Sequence, residues 1–77
     1  MPEYFFDVRS SDGTVVPDIG GKTLPDIDSA HTAARQCAYK LAVAEYRRTG
    51  TVDGRKVEIV SETGKLLDDV HVRDSIF

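Results

Sequence analysis

The spacing of apolar residues divides the chain into one long helix and four short strands. Residues 30–49 contain no glycine or proline, and Ala30, Ala33, Ala34, Cys37, Ala38, Leu41, Ala42 and Ala44 recur at intervals of three and four. Those intervals place them on one broad helical stripe. Asp28 or Ser29 is the expected N-cap, because a short side-chain oxygen there accepts from the free N–H groups of the first turn. Gly50 follows Arg47 and Arg48, which fits a left-handed closing residue with cations at the negative helix end. The stripe is mostly alanine, so the helix is expected to lie close on a sheet whose strands supply the bulky core groups.

Elsewhere the period is two. Residues 4–9 read as a strand with Tyr4, Phe6 and Val8 on one face and Phe5, Asp7 and Arg9 on the other. Asp12-Gly13 makes a hairpin turn into a second strand at 14–16, which Pro17 ends or marks as an edge. Residues 18–27 read as a loop, with Leu24 and Ile27 under the helix start and Ile27 as the outer half of a hydrophobic staple. After the helix, a turn at Asp53-Gly54 leads to a third strand at 56–62, with Val57 and Ile59 opposed to Glu58 and Val60. Thr63-Gly64 turns the chain into a fourth strand at 65–72. There Leu66, Val70 and Val72 share a face, and Asp68 interrupts it at a bulge or edge. Ile76 and Phe77 are expected to pack back on the core. The order β-β-α-β-β predicts an α+β fold: a four-stranded antiparallel sheet with one long helix across one face, in a single domain over residues 1–77.

Composition narrows the function classes without choosing one. The 77 residues carry a net charge of −3, which gives no global attraction to nucleic acid or anionic membrane. The one cysteine, Cys37, cannot close an internal disulfide, no apolar run is long enough to span a membrane, and the first residues lack the basic and apolar regions of a signal peptide. A reducing, cytoplasmic setting is expected.

Catalytic and ligand patterns are absent. Gly20-Gly21-Lys22-Thr23 ends like a phosphate loop, but Val16 stands where the leading glycine belongs and Leu24-Pro25 follows instead of a helix. Cys37 lies on the apolar stripe, where packing rather than nucleophilic chemistry is expected. His31 and His71 have no spacing suited to a metal site, Asp68 and Asp69 point to opposite sides of a strand, and no serine sits in a nucleophile turn. No enzyme, cofactor, metal or small-molecule ligand is therefore expected.

Two surfaces remain. Within residues 30–49, Arg35, Lys40, Arg47 and Arg48 stand against Glu45, a local charge of +3. Arg35, Lys40 and Arg47 are the candidate contacts for nucleic acid or an acidic partner. Phe5, Val60 and Leu67 are expected on the sheet face away from the helix, where exposed apolar area points to self-association as a homodimer or to another protein.

Tyr4-Phe5-Phe6-Asp7-Val8-Arg9, Asp12-Gly13, Val16-Pro17-Asp18, Leu24-Pro25-Asp26, the Ala- and Arg-containing helix, the run Asp53-Gly54-Arg55-Lys56-Val57-Glu58-Ile59 and the Gly64 hairpin together resemble a family of short bacterial proteins of unknown function. The resemblance covers nearly the whole chain and rests on strand, turn and cap residues. It implies a fold and no activity. A weaker likeness, to HicB-type antitoxins, comes from the aromatic strand and Asp-Gly turn ahead of a helix. It implies a regulator of that kind as the alternative to a self-associating, non-enzymatic binding domain.

Overall fold

The computed structural model describes residues 1–52 and 54–75. The expected turn residue Asp53 and the expected core residues Ile76 and Phe77 lie outside that set. The elements are β1 (Glu3–Arg9), β2 (Val15–Val16), β3 (Lys22–Thr23), α1 (Ile27–Thr49), β4 (Lys56–Ser61), β5 (Leu66–His71) and a 3-10 turn at Arg73–Ser75. The sheet is antiparallel with order β2-β1-β4-β5, and β3 pairs β1 beside β2. The fold is thus α+β as expected, with five strands rather than four, because the segment read as a loop contributes β3.

Gly13 and Gly64 take positive φ, 92° and 87°, in the two hairpin turns. These are conformations that glycine adopts without steric cost. The helix begins earlier than its apolar stripe suggests. Asp26, not Asp28 or Ser29, is the N-cap, in extended conformation with its Oδ1 accepting the Ser29 N–H at 2.8 Å. Ile27 is consequently the first helical residue, 41% exposed, and not a staple outside the helix. At the other end Gly50, with φ 78°, donates its N–H to the Tyr46 carbonyl at 2.8 Å.

The core matches the small-on-large expectation. Ala30, Ala34, Ala38 and Ala42 are fully buried against Val57, Ile59 and Val72, with Tyr4 also buried. Burial of each large aliphatic side chain contributes about 1.5–3 kcal/mol. Cys37 and Leu41 pack at the margin of this cluster, together with Phe6, Leu24 and Val70.

Register assigns the faces. Across β1, β4 and β5, Tyr4, Phe6, Val8, Val57, Ile59, Asp68 and Val70 point toward α1. Between Ile59 and Val60 the β4–β5 register shifts, so Ile59 faces Asp68 while Val60 faces Leu66. Leu67 is the extra, bulged residue. The bulge rotates Leu66 away from the face of Val70 and onto the outer face, which corrects the shared face expected of Leu66, Val70 and Val72.

Candidate functional site

The residue that shapes the surface most is Asp18, between β2 and β3. Its Oδ2 accepts the Phe6 N–H at 3.1 Å, and its Oδ1 accepts the N–H groups of Gly20 and Gly21, each at 3.2 Å. Its own N–H donates to Asp7 Oδ1 at 2.9 Å. The carboxylate thus fills the gap in the edge strand where β1 has no partner, and it pins residues 18–21. Ile19 sits on this pinned loop with 91% of its surface exposed. Hydrogen bonds to a charged acceptor, at about 1.5–3 kcal/mol each net of competition with water and less where exposed, make such a loop stiff.

Beside the loop, the inner sheet face is only half covered. A groove of about 440 Å³ runs between α1 and the β1–β2 side, lined by Phe6, Val8, Val16, Asp18, Ala33 and Cys37 among others. It continues along the helix past Lys22, Lys40 and Leu41. Burial pushes the Cys37 thiol up from its ordinary value, and the negative charge of Asp18 adds to this against the opposing Lys40 and Lys22. The thiol therefore stays protonated at neutral pH and behaves as an apolar wall group.

The outer sheet face carries three rows set side by side on β1, β4 and β5. Phe5, Val60 and Leu66 form an apolar row, Asp7, Glu58 and Asp69 an acidic one, and Arg9, Lys56 and His71 a basic one. The charged rows are partly paired within the face. Arg9 Nε meets Glu58 Oε2 at 3.1 Å, and Lys56 Nζ meets Asp69 Oδ2 at 3.3 Å. Glu58 is 6% exposed despite facing away from the helix. Of the residues expected to form a self-association face, Phe5 and Val60 lie in the apolar row. Leu66 holds the third place, and Leu67 flanks it at the bulge.

Arg35, Lys40 and Arg47 do not form one strip. Lys40 and Arg47 lie within about 20° of each other around the helix, but Arg35 is about 140° from Lys40. Arg35 instead donates toward His31 Nδ1 at 3.3 Å and to Thr32 Oγ1 at 3.4 Å. His31 Nε2 in turn meets Asp68 Oδ2 at 2.5 Å, tying α1 to β5. A shallow depression of about 570 Å³ over Thr32, Arg35, Gln36, Tyr39 and Lys40 lies on the exposed side of α1. Among the described residues no three of His, Cys, Asp and Glu converge as metal ligands. No helix among them is long and apolar enough to cross a membrane.

A family model matches residues 3–73, which takes in all five strands, the helix and the first residue of the 3-10 turn. The chain belongs to the family described as Domain of unknown function (DUF6894). No curated protein and no solved structure matches it. The DUF6894 match agrees with the resemblance carried by the strand, turn and cap residues, and brings no relative of known activity. The working parts of this DUF6894 domain must accordingly be argued from its own surfaces. The sequence signal for the groove was present in Val16-Pro17-Asp18-Ile19-Gly20-Gly21. Its meaning depended on Asp18 reaching Phe6, twelve residues away.

Proposed function

We propose that this domain is a small, non-enzymatic interaction module that self-associates through its helix-free sheet face. The observation that carries the reading is the row Phe5–Val60–Leu66, extended by Leu67, beside charges already paired within the same face. Docking two such rows leaves the Glu58 and Asp69 ion pairs intact, so neither carboxylate is left as an uncompensated charge at the contact. Both sheet edges discourage the alternative, strand-to-strand pairing. On one side β2 is two residues long and ends at Pro17; on the other, β5 is bulged and carries Asp68 and Asp69.

The face measures about 20 Å along the strands and about 14 Å between its outermost strand axes, roughly 300 Å² in projection. That is well under the roughly 800 Å² per partner of a standard stable interface. The expected dimer is weak and exchanges readily. Sedimentation velocity over a wide concentration range tests it: a rise toward dimer mass that Leu66→Glu abolishes supports the reading. Leu66 is 51% exposed, so the variant should still fold. A monomer at the highest soluble concentration refutes it. The lone half-buried Cys37 fits a reducing, cytoplasmic setting.

A further inference from the structure

We propose that the uncovered half of the inner sheet face is a docking groove for an acidic amphipathic helix of another protein. Element widths leave part of the sheet uncovered. A helix is about 10 Å across and strands are about 4.8 Å apart, so one helix covers about two strands. Here α1 packs on β4, β5 and the 3-10 turn. The inner face of β1 and β2 is left with Phe6, Val8 and Val16, the last 61% exposed, opposite the small Ala33 and Cys37 of α1. Small wall residues let a second helix lie close beside the first, completing the layer that one helix cannot supply. The wall from Ala33 to Leu41 spans about 12 Å, enough for two helical turns and three or four apolar anchors.

Charge chooses the occupant. Lys22 and Lys40 border the groove. The acid lining it, Asp18, has its carboxylate bonded to three backbone N–H groups. A second copy seated symmetrically in the groove would set these lysines against their own counterparts. Glutamates flanking the apolar stripe of a foreign helix would meet them favourably. Ile19 stands next to the groove on the pinned loop, between Asp18 and Gly21, both of which line it. An exposed aliphatic side chain on a pinned backbone at the lip of an apolar groove is placed to act as an anchor without the cost of ordering the loop.

The test is a nitrogen-15 NMR titration of the full chain with two synthetic amphipathic helices of about 18 residues. They share a leucine stripe and carry glutamate or lysine on its flanks. The glutamate-flanked peptide should shift the amides of Phe6, Val8, Val16, Ala33 and Cys37, and should slow maleimide alkylation of Cys37. The lysine-flanked peptide should do neither. The double variant Lys22→Glu/Lys40→Glu should reverse the preference, weakening the glutamate-flanked peptide about tenfold. Ile19→Ser, at a position too exposed to affect folding, should weaken it about threefold or more. The proposal is overturned if both peptides bind alike, if neither binds, or if the shifts map to Phe5, Val60 and Leu66 instead. It is equally overturned if the charge-reversed protein keeps the original preference, if the groove amides shift with protein concentration alone, or if decanoate occupies the groove while the peptides leave it untouched.

Discussion

Gly21 offers a sharp test of how the pinned loop is built. Its φ is +68°, and a Cβ placed on it would lie 2.8 Å from Phe5 Cε1 and 3.1 Å from both Phe5 Cδ1 and Cζ. Gly21→Ala therefore suffers two separate penalties. The left-handed backbone costs a side-chain-bearing residue about 1–2 kcal/mol. The encounter with the Phe5 ring adds an overpacking cost of up to about 1–3 kcal/mol, less the further the half-buried ring turns aside on the outer face. Gly64→Ala is the matched control, since Gly64 has φ +87° with nothing within 4 Å of the added Cβ. It should pay only the backbone cost. A domain of this size has a total stability of about 4–12 kcal/mol, so both variants should remain folded enough to measure. Urea denaturation is the assay. At about 1 kcal/mol per molar urea, the low end of the range that suits a short chain, the two alanine variants should differ in midpoint by about 1–3 M. In a Phe5→Ala background Gly21→Ala should cost no more than Gly64→Ala, a coupling of about 1–3 kcal/mol between residues 5 and 21. Equal midpoints for the two alanine variants, or no coupling to Phe5, would refute the claim that this contact sets the loop.

Asp18→Asn keeps an acceptor for the glycine N–H groups but removes the charge and turns an amide toward Phe6; it should lower stability by about 1.5–3 kcal/mol by urea denaturation and lose hydrogen-exchange protection at the Phe6 amide. Ala38→Leu, at a fully buried position under the sheet, should destabilise by about 1–3 kcal/mol or more, whereas Ala44→Leu on the exposed side should stay within about 0.5 kcal/mol. Acid should weaken the fold. The backbone N–H of Thr14 lowers Asp12, the backbone N–H of Ser29 lowers Asp26, and the hydrogen bond from His31 lowers Asp68, each from an ordinary value of 3.8. Carboxylates lowered in the folded state contribute fully above that ordinary value and lose their contribution as pH falls through the folded values. Melting temperature should thus hold above about pH 5 and decline below about pH 4, with a shallower decline in Asp12→Ala/Asp26→Ala/Asp68→Ala; a rise in melting temperature on acidification contradicts the assignment.

How much of this was legible in sequence depended on range. The α1 stripe, the Gly50 cap and the glycine turns follow from spacings of a few residues, and the structure contains them. The N-cap lies two or three residues before the expected Asp28 or Ser29, because Asp26, Asp28 and Ser29 all suit the role. Pro25 precedes all three and restricts only Leu24, so it does not choose between them. The exchange of Leu66 for Leu67 in the outer row came from a bulge, which a strict period of two cannot express. The groove was hidden for a different reason. Residues 18–21 look like an ordinary polar, glycine-containing linker until the Asp18 carboxylate is seen closing the Phe6 edge gap, and no short-range pattern encodes that bond.

The alanine stripe also explains why a groove exists. Ala30, Ala34, Ala38 and Ala42 are spaced by four, and each step of four turns about 40° around the helix. The buried line therefore runs obliquely to the helix axis, as rows of this spacing do in close packing. An oblique line of small residues fixes α1 over β4, β5 and the Val72 end of the chain; of β1 only Tyr4 is buried in that core, and Phe6 and Val8 stay half-covered. A bulkier stripe would lift the helix and let its flanks spread over more of the sheet. The same small side chains that bring α1 close therefore narrow its cover and leave Phe6, Val8 and Val16 at a half-open wall. The two apolar surfaces lie on opposite faces of one sheet and differ in charge setting. The outer row adjoins ion pairs closed within the face, which tolerates a second copy. The inner groove is bordered by Lys22 and Lys40, which repels one and favours an acidic partner. The proposed self-association and the proposed partner docking are compatible, because they use opposite faces of the sheet.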